Sequence, residues 1–503
     1  MKHIAYHIAA IALFLLSGCS SFLERTSQNQ IVPTTVEQYK EMLQGRNGYF
    51  YNAPQKYAFV NIATDDVAYT DVSALAGVPA GDALNVAPYR FVYQWSDEIE
   101  NETFTDGAFD YFYSQVLVAN TVFDAIDRLD DPTGERELVR GQALFHRAFA
   151  YFVLATLYAP AYNESQASTP CVPLKLSPTP STQNYPKSTM GEVWGQIRSD
   201  IDAGISAMKD IDVFNPYEID VDALLVLAVR VALQMEDFDA VIDYGKQLFE
   251  HNESLFDITQ KERSSSPEST APGGADIANF ISSENPEIVW CYGSYSGNFP
   301  SLLGGLGESD VCYYALSDEL IGCFADGLKE GERDRRLDYW FTKPGQFPSP
   351  INYVYNYSIL KYDRDDGYPR TQALRVGEVY ISMAEAYARK TQPDYDEALR
   401  LLNALRSRRI LHYSDRTLDE AGGTAGIVEY IWQERRRELC CEELHRWWDL
   451  RRQGQPRLEH RWRDGEKYVL EQGDAAYTFN YPTAEREVNP SNFNSRPHRE
   501  PVQ

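Results

Sequence analysis

The sequence predicts a mainly α protein: a tetratricopeptide-like helical-repeat scaffold with long irregular and short β-strand insertions. Two pairs of neighbouring segments carry apolar residues at helical spacing, which is typical of repeats built from two helices. Between the helical segments lie stretches rich in glycine, proline and aromatic residues, and these are typical of insertions.

The helices before the first repeat are predicted from apolar periodicity. We expect a short helix near residues 36–43, helices over 106–129 and 135–157, and a capped helix over 188–208. Prolines and glycines interrupt residues 49–95, which we expect to be rich in loops. The first repeat pair follows, with these residues at tetratricopeptide positions: Leu224, Leu227, Ala228, Val231, Ala240 and Tyr244.

Residues 374–452 predict three consecutive helices. The first two form a hairpin broken near Pro393, and the first of them has these residues at tetratricopeptide spacing: Tyr380, Met383, Ala384 and Tyr387. In the third helix, charged residues occupy positions 434–438, where its apolar stripe should continue. Arginine forks pair with carboxylates and stack on indole rings, so we interpret this charge as a buried, satisfied structural network. Its predicted members are Arg435, Arg436, Arg437, Arg446, Glu434, Glu438, Glu442, Trp447 and Trp448.

The N-terminus has the features of a bacterial lipoprotein signal. Residues 1–18 contain Lys2, an apolar core and the small residues Ser17 and Gly18 directly before Cys19. We expect cleavage before Cys19 and acylation of its thiol, and an ordinary secretory signal with a chance cysteine is the alternative. The apolar core is too short for a transmembrane helix.

The charge excludes nucleic acid as an expected partner. The chain has 74 acidic and 47 basic residues and a formal net charge of −27. Such a surface also repels anionic lipid headgroups, so we expect membrane attachment through the lipid anchor only.

The search for catalytic patterns leads to a prediction of no enzyme, no catalytic residues, no cofactor and no metal ligands. Residues 293–297, G-S-Y-S-G, have the wrong spacing for a nucleophile elbow, and no two histidines after Cys19 lie within five positions of each other. A pair of glycosidase carboxylates stays open, because their required separation is spatial. The cysteines are interpreted as small buried side chains, with a disulfide among Cys291, Cys312 and Cys323 as the alternative.

Several motifs resemble the SusD/RagB-like outer-membrane nutrient-binding lipoproteins. These motifs are RVGEVYISMAEAY at 375–387, ERRREL at 434–439, HRWWDLRR at 445–452 and YPTAEREVNP at 481–490. The resemblance implies a SusD-like domain over 19–503 after the signal peptide at 1–18. We divide it into an N-terminal part at about 19–210, a helical repeat at 211–260 and a C-terminal part at 270–503.

The resemblance also implies a function. Such proteins are non-catalytic and capture oligosaccharides at the outer membrane, facing the cell exterior, for delivery to a SusC-like TonB-dependent transporter. The alternatives are a peptide-binding member of the family and a surface-attached glycoside hydrolase. We expect the helical repeat face to contact the transporter.

Ligand contacts are expected on aromatic insertions, because a sugar ring stacks its C–H face on aromatic side chains and its hydroxyl groups need polar partners. One predicted set comprises Tyr89, Tyr93 and Trp95 beside Asn61 and Asp66. The other comprises Tyr292, Tyr295 and Phe299 beside Asn298, with Trp340 more distant.

Overall fold

The structure is a computed structural model that describes residues 33–46, 48–69, 89–179, 184–213, 215–261, 264–265, 276–277, 280–294, 314–342, 357–362, 370–462 and 465–502. Helices dominate these residues and the strands are short, which confirms the predicted mainly α class. In the described part, no helix has the length and apolar character needed to cross a membrane.

The N-terminal half is built around one long helix. Its helices are α1 (Val36–Gln44), α2 (Ala53–Tyr57), α3 (Arg90–Tyr93), α4 (Ala108–Ala125), α5 (Arg136–Tyr158) and α6 (Met190–Met208). Helix α5 is apolar and aromatic around most of its circumference, so it is buried between α4 and α6. A capping box formed by Thr189 and Glu192 begins α6, as the sequence predicts.

Two helical hairpins pack against each other in the remainder of the fold. The helices are α7 (Val221–Gln234), α8 (Phe238–His251), α9 (Asp318–Cys323), α10 (Arg335–Tyr339), α11 (Val376–Arg389), α12 (Tyr395–Ser407), α13 (Gly423–Leu439), α14 (His445–Arg452) and α15 (Thr483–Val488). The α7–α8 and α11–α12 hairpins confirm the predicted helix pairs, and α8 packs on α11. Their assignment as tetratricopeptide repeats stays a prediction.

The strands form antiparallel pairs. They are β1 (Val67–Tyr69), β2 (Ser264–Ser265), β3 (Asp276–Ile277), β4 (Ile288–Tyr292), β5 (Tyr314–Leu316), β6 (Arg333–Asp334), β7 (Phe341–Thr342), β8 (Ser358–Ile359), β9 (Gln372–Arg375), β10 (Ile410–Leu411), β11 (Leu458–Arg461) and β12 (Lys467–Leu470). The pairs are β1–β5, β2–β3, β4–β9, β6–β10, β7–β8 and β11–β12. The predicted β character of residues 287–368 is therefore present in its described parts.

The third helix predicted within 374–452 is divided in two. Helix α13 ends at Leu439 and α14 begins at His445. Cys441 and Glu443 in the link have φ values of 63° and 43°, which no continuing helix allows. The link directs the Glu442 and Glu443 carboxylates into the charged core described next.

A network of buried charges, centred on Arg375 at the end of β9, joins the C-terminal elements. Arg375 Nε donates to Glu442 Oε2 at 2.9 Å, and its Nη1 donates to Glu438 Oε1 at 2.7 Å and Glu287 Oε2 at 3.2 Å. Arg409 Nη2 donates to Glu287 at 2.5 Å and Glu438 at 2.9 Å. Burial acts to raise the pKa of Glu438, but the guanidinium groups of Arg409, Arg375 and Arg336 outweigh it and hold that pKa below its usual range.

Further buried ion pairs between arginines and carboxylates extend the network. They are Arg230 with Glu378 and Glu443, Arg336 with Asp334 and Glu434, Arg406 and Arg437 with Glu434, Arg435 with Asp449, and Arg452 with Glu385. The predicted pairing of the charges in 434–446 is therefore confirmed, and the guanidinium that lies over Trp448 is that of Arg230, which was not a predicted member. The partners of these charges on β9, α7, α10 and α12 are far away in the sequence, where no local pattern reveals them.

Gly377 has no side chain, and groups of the charged network occupy the space that a side chain would need. Substitution of Gly377 therefore tests how much the network contributes to stability. A Cβ at Gly377 would overlap Arg375 Nη1 and approach Glu287 Oε2 to 2.8 Å, whereas one at Gly195 in α6 would meet nothing within 4 Å. We expect Gly377→Ala to lower the free energy of unfolding by about 1–3 kcal/mol, because the charges must move apart. Gly195→Ala should raise it by about 0.5–1 kcal/mol. Urea denaturation measures both, and equal effects of the two substitutions would contradict a tightly packed network.

Candidate functional site

The β1–β5 ribbon lies next to two predicted ligand residues, Asp66, which directly precedes β1, and Tyr93, whose hydroxyl accepts from the Tyr69 N–H. Strands β1 and β5 form an antiparallel ribbon in which Tyr69 lies opposite Tyr314. Residues 70–88 follow Tyr69 in the chain, and residues 295–313 precede Tyr314. Tyr69 and Tyr314 therefore mark one end of this ribbon, and each adjoins a segment outside the described residues.

Aromatic side chains gather at that end of the ribbon. We define the aromatic cluster as Tyr69, Tyr93, Tyr314 and Trp462, the last of which directly follows β11. Ring centroids are 3.9 Å apart for Tyr69 and Trp462, 5.6 Å for Tyr93 and Tyr314, and 5.7 Å for Tyr93 and Trp462. Tyr69 is half-buried, and the guanidinium of Arg90 lies 5.8 Å from the Trp462 ring centroid. The rings of Tyr93, Tyr314 and Trp462 are buried, and the half-buried Tyr69 is the member of the cluster that reaches solvent.

Hydrogen bonds beneath the aromatic cluster fix its position. The Tyr93 hydroxyl accepts from the Tyr69 backbone N–H at 2.9 Å and donates to the Arg461 carbonyl at 3.1 Å, so it joins β1 to β11. His460 stacks between Tyr93 and Trp95, with both centroid distances 4.0 Å. Burial lowers the pKa of His460 to about 4, although the carbonyl groups of Tyr93 and Thr64, one beside each ring nitrogen, act to raise it.

Most predicted ligand residues lie in the core of this structure, and their role as ligand contacts stays a prediction. The exposed fractions are 0% for Trp95, 2% for Tyr93, 1% for Tyr292, 0% for Trp340, 5% for Asn61 and 3% for Asp66. Trp95 Nε1 donates to the Ala63 carbonyl at 2.9 Å, and Asp66 accepts from Arg436 at 2.8 Å. Trp95 packs on His460 beside the aromatic cluster, whereas Tyr292 and Trp340 pack elsewhere, against Trp290 and Phe280.

The remaining predicted residues have different outcomes. Tyr89 is half-buried beside Phe104, with ring centroids 5.1 Å apart, and its ligand contact stays a prediction. The predicted contacts Tyr295, Asn298 and Phe299 and the predicted lipidation site Cys19 lie outside the described residues. The sequence interpretation missed Tyr69, Tyr314 and Trp462, because only the β1–β5 pairing and the position of β11 bring them together.

The comparisons with known proteins agree with this architecture. A family model described as "Starch-binding associating with outer membrane" matches residues 21–218, and the SusD family model matches residues 351–498. No curated protein sequence matches the chain.

Solved structures share the fold at low sequence identity. A SusD superfamily protein from Bacteroides thetaiotaomicron has 18% identity and a TM-score of 0.70, covering 92% of this chain and 100% of its own. A SusD-like carbohydrate binding protein from Bacteroides vulgatus has 17% identity and a TM-score of 0.66, covering 92% and 98%. A similarly described protein from Bacteroides fragilis has 14% identity and a TM-score of 0.63, covering 91% and 98%.

Together the two family models match more than half of the chain, and the helical architecture is that of the solved structures. The chain belongs to the SusD/RagB-like family.

Burial of the Trp95 ring gives a direct test of whether this residue stabilises the fold or contacts ligand. We expect Trp95→Ala to lower the free energy of unfolding by about 3–5 kcal/mol, because the cavity would remove the support under His460. Tyr89→Ala, at a half-buried position, is the control and should cost less. Denaturant unfolding measures both. A Trp95→Ala protein with unchanged stability but lost ligand affinity would return this residue to the binding surface.

Proposed function

We propose that this protein is a non-catalytic, glycan-binding lipoprotein that captures oligosaccharides at the cell surface and delivers them to a SusC-like TonB-dependent outer-membrane transporter. The observation that carries the proposal is the aromatic cluster at the Tyr69–Tyr314 end of the β1–β5 ribbon, where the Tyr69 ring is partly exposed. The family's description as starch-binding and outer-membrane-associated supports the ligand class and the location.

The chemistry of the ribbon end suits a neutral sugar chain. Aromatic rings stack on the apolar C–H face of a pyranose, and polar groups at the edge bind its hydroxyls. Tyr69 supplies a half-buried ring. The half-buried Arg90 and the exposed Arg461 supply polar groups beside the aromatic cluster. Because Tyr93 and His460 are held rigidly below, the surface is formed before a ligand arrives, which reduces the entropy lost on binding.

Substitution in the aromatic cluster tests the ligand site. Full-length protein is screened against arrays of neutral glycans and peptides, and the best ligand is titrated by calorimetry. We expect Tyr69→Ala to weaken glycan binding by about 1–3 kcal/mol, because a stacking surface is lost. Tyr244→Ala is the matched control, since Tyr244 is a half-buried tyrosine on α8.

Each outcome of that titration has one interpretation. Equal affinity of the two folded variants would contradict a site at the ribbon end. Binding to peptides alone would favour the peptide-binding alternative, and release of shortened sugars would favour the hydrolase.

The membrane part of the proposal depends on Cys19 and on the repeat face. We expect Cys19→Ala to move the protein out of the membrane fraction, because its charge of −27 opposes attachment to anionic lipid. We also expect the acylated protein to copurify from detergent extracts with a β-barrel transporter. An unchanged membrane fraction would contradict the anchor, and purification without a barrel would contradict the partnership.

A further inference from the structure

A cleft of about 350 Å³ lies between α9, α13 and α14, apart from the aromatic cluster. Each element presents side chains three, four or seven positions apart, so one face of each lines the cleft. The lining residues are Glu319, Cys323 and Asp326 from α9 and the turn after it, Glu429, Trp432, Gln433 and Arg436 from α13, and Arg446, Leu450 and Gln453 from α14 and its C-cap, with Pro456 beyond. The cleft is therefore built on rigid helices.

This cleft and the aromatic cluster lie at opposite ends of the β1–β5 ribbon. Asp66, which directly precedes β1, accepts from Arg436 in the cleft wall at 2.8 Å. Ser317, which directly follows β5, caps α9 by accepting from the Leu320 N–H at 3.1 Å. A strand of three residues spans about 10 Å, so the two places are separate but connected by one rigid ribbon.

The charges in the cleft walls favour a neutral ligand. Arg446 binds Asp65 through Nε at 2.7 Å and Nη2 at 2.6 Å, and Arg436 Nη1 binds Glu319 at 2.7 Å. These carboxylates compensate both guanidinium groups. Asp326 and Glu429 are exposed and add negative charge, so a phosphate, sulfate or uronate would be repelled.

The remaining groups match a hydroxylated ring. Trp432 is half-buried and offers indole surface, and the buried Leu450 extends the apolar wall. Gln453 Nε2 is buried without an acceptor among the described residues, and Gln433 is exposed at the rim. An unsatisfied amide N–H in the lining of a cleft is a donor that a hydroxyl oxygen can satisfy. The volume is at the small end of ligand sites, as a single ring requires.

We propose that this cleft is a second binding site for one neutral sugar ring, distinct from the aromatic cluster. The inference rests on the proposed function for its ligand class, because family and cluster both indicate glycan binding. A glycan held at both ends of the ribbon would gain affinity by bivalent attachment.

Titration of full-length variants tests the cleft separately from the aromatic cluster. The probes are maltotriose, cellotriose and mannotriose, and saturation-transfer NMR and calorimetry report binding. We expect two classes of site in the unsubstituted protein. Trp432→Ala and Gln453→Met should each weaken one class at least tenfold, and Tyr69→Ala should weaken the other while leaving the cleft class unchanged.

The outcomes distinguish the two proposals. If the cleft variants are folded by circular dichroism and bind like the unsubstituted protein while Tyr69→Ala loses affinity, the cleft proposal is wrong and the proposed function stands. If the unsubstituted protein binds neither these probes nor any arrayed glycan, both are wrong. If Trp432→Ala fails to fold, Gln453→Met, which keeps the side-chain length, decides the result.

Discussion

The buried charge network around Arg375 is the interaction on which the rest of the structure depends. An ionised side chain without water is stable only when opposite charges and hydrogen bonds replace its hydration. Arg375, Glu438 and Glu442 are fully buried, so each must have its partners in place at the same time. Since the partners come from β9, α13 and the link before α14, the network has one arrangement and fixes these elements relative to one another.

The outer members of the network connect this core to the surfaces that we propose bind ligand. Arg436 and Arg446 extend from α13 and α14 to Asp66 and Asp65, immediately before β1. The two guanidinium groups therefore fix where the β1–β5 ribbon begins, and the aromatic cluster lies at its other end. A binding surface on short strands needs such support, because two-stranded ribbons are marginally stable alone.

The sequence predicted the helices well and the burial of the candidate ligand residues poorly, for different physical reasons. Helical periodicity is local, so α5, α6 and both hairpins could be predicted, and the charge between 434 and 438 predicted a network. The break between α13 and α14 could not, because good helix formers lie on both sides of Cys440 and Cys441, at 434–439 and at 442–444, and no glycine or proline marks it. Trp95 and Trp340 stand in loop-like sequence, where an aromatic side chain either packs inward or faces a ligand. Only tertiary contacts decide this, and the contacts of both rings are with the core. No local sequence pattern indicated that Trp462 belongs to the aromatic cluster, because the other rings of the cluster are far away in the chain.

Hydrogen exchange of the full-length protein, with and without a saturating glycan, tests most directly whether a rigid ionic core supports binding at the ribbon ends. Amides around Arg375 and Glu438 should exchange slowly in both states, because opening them would unpair buried charges. The glycan should slow exchange at 67–69, 314–316 and 458–462. Fast exchange around Arg375, or ligand protection confined to the helical hairpins, would contradict the account.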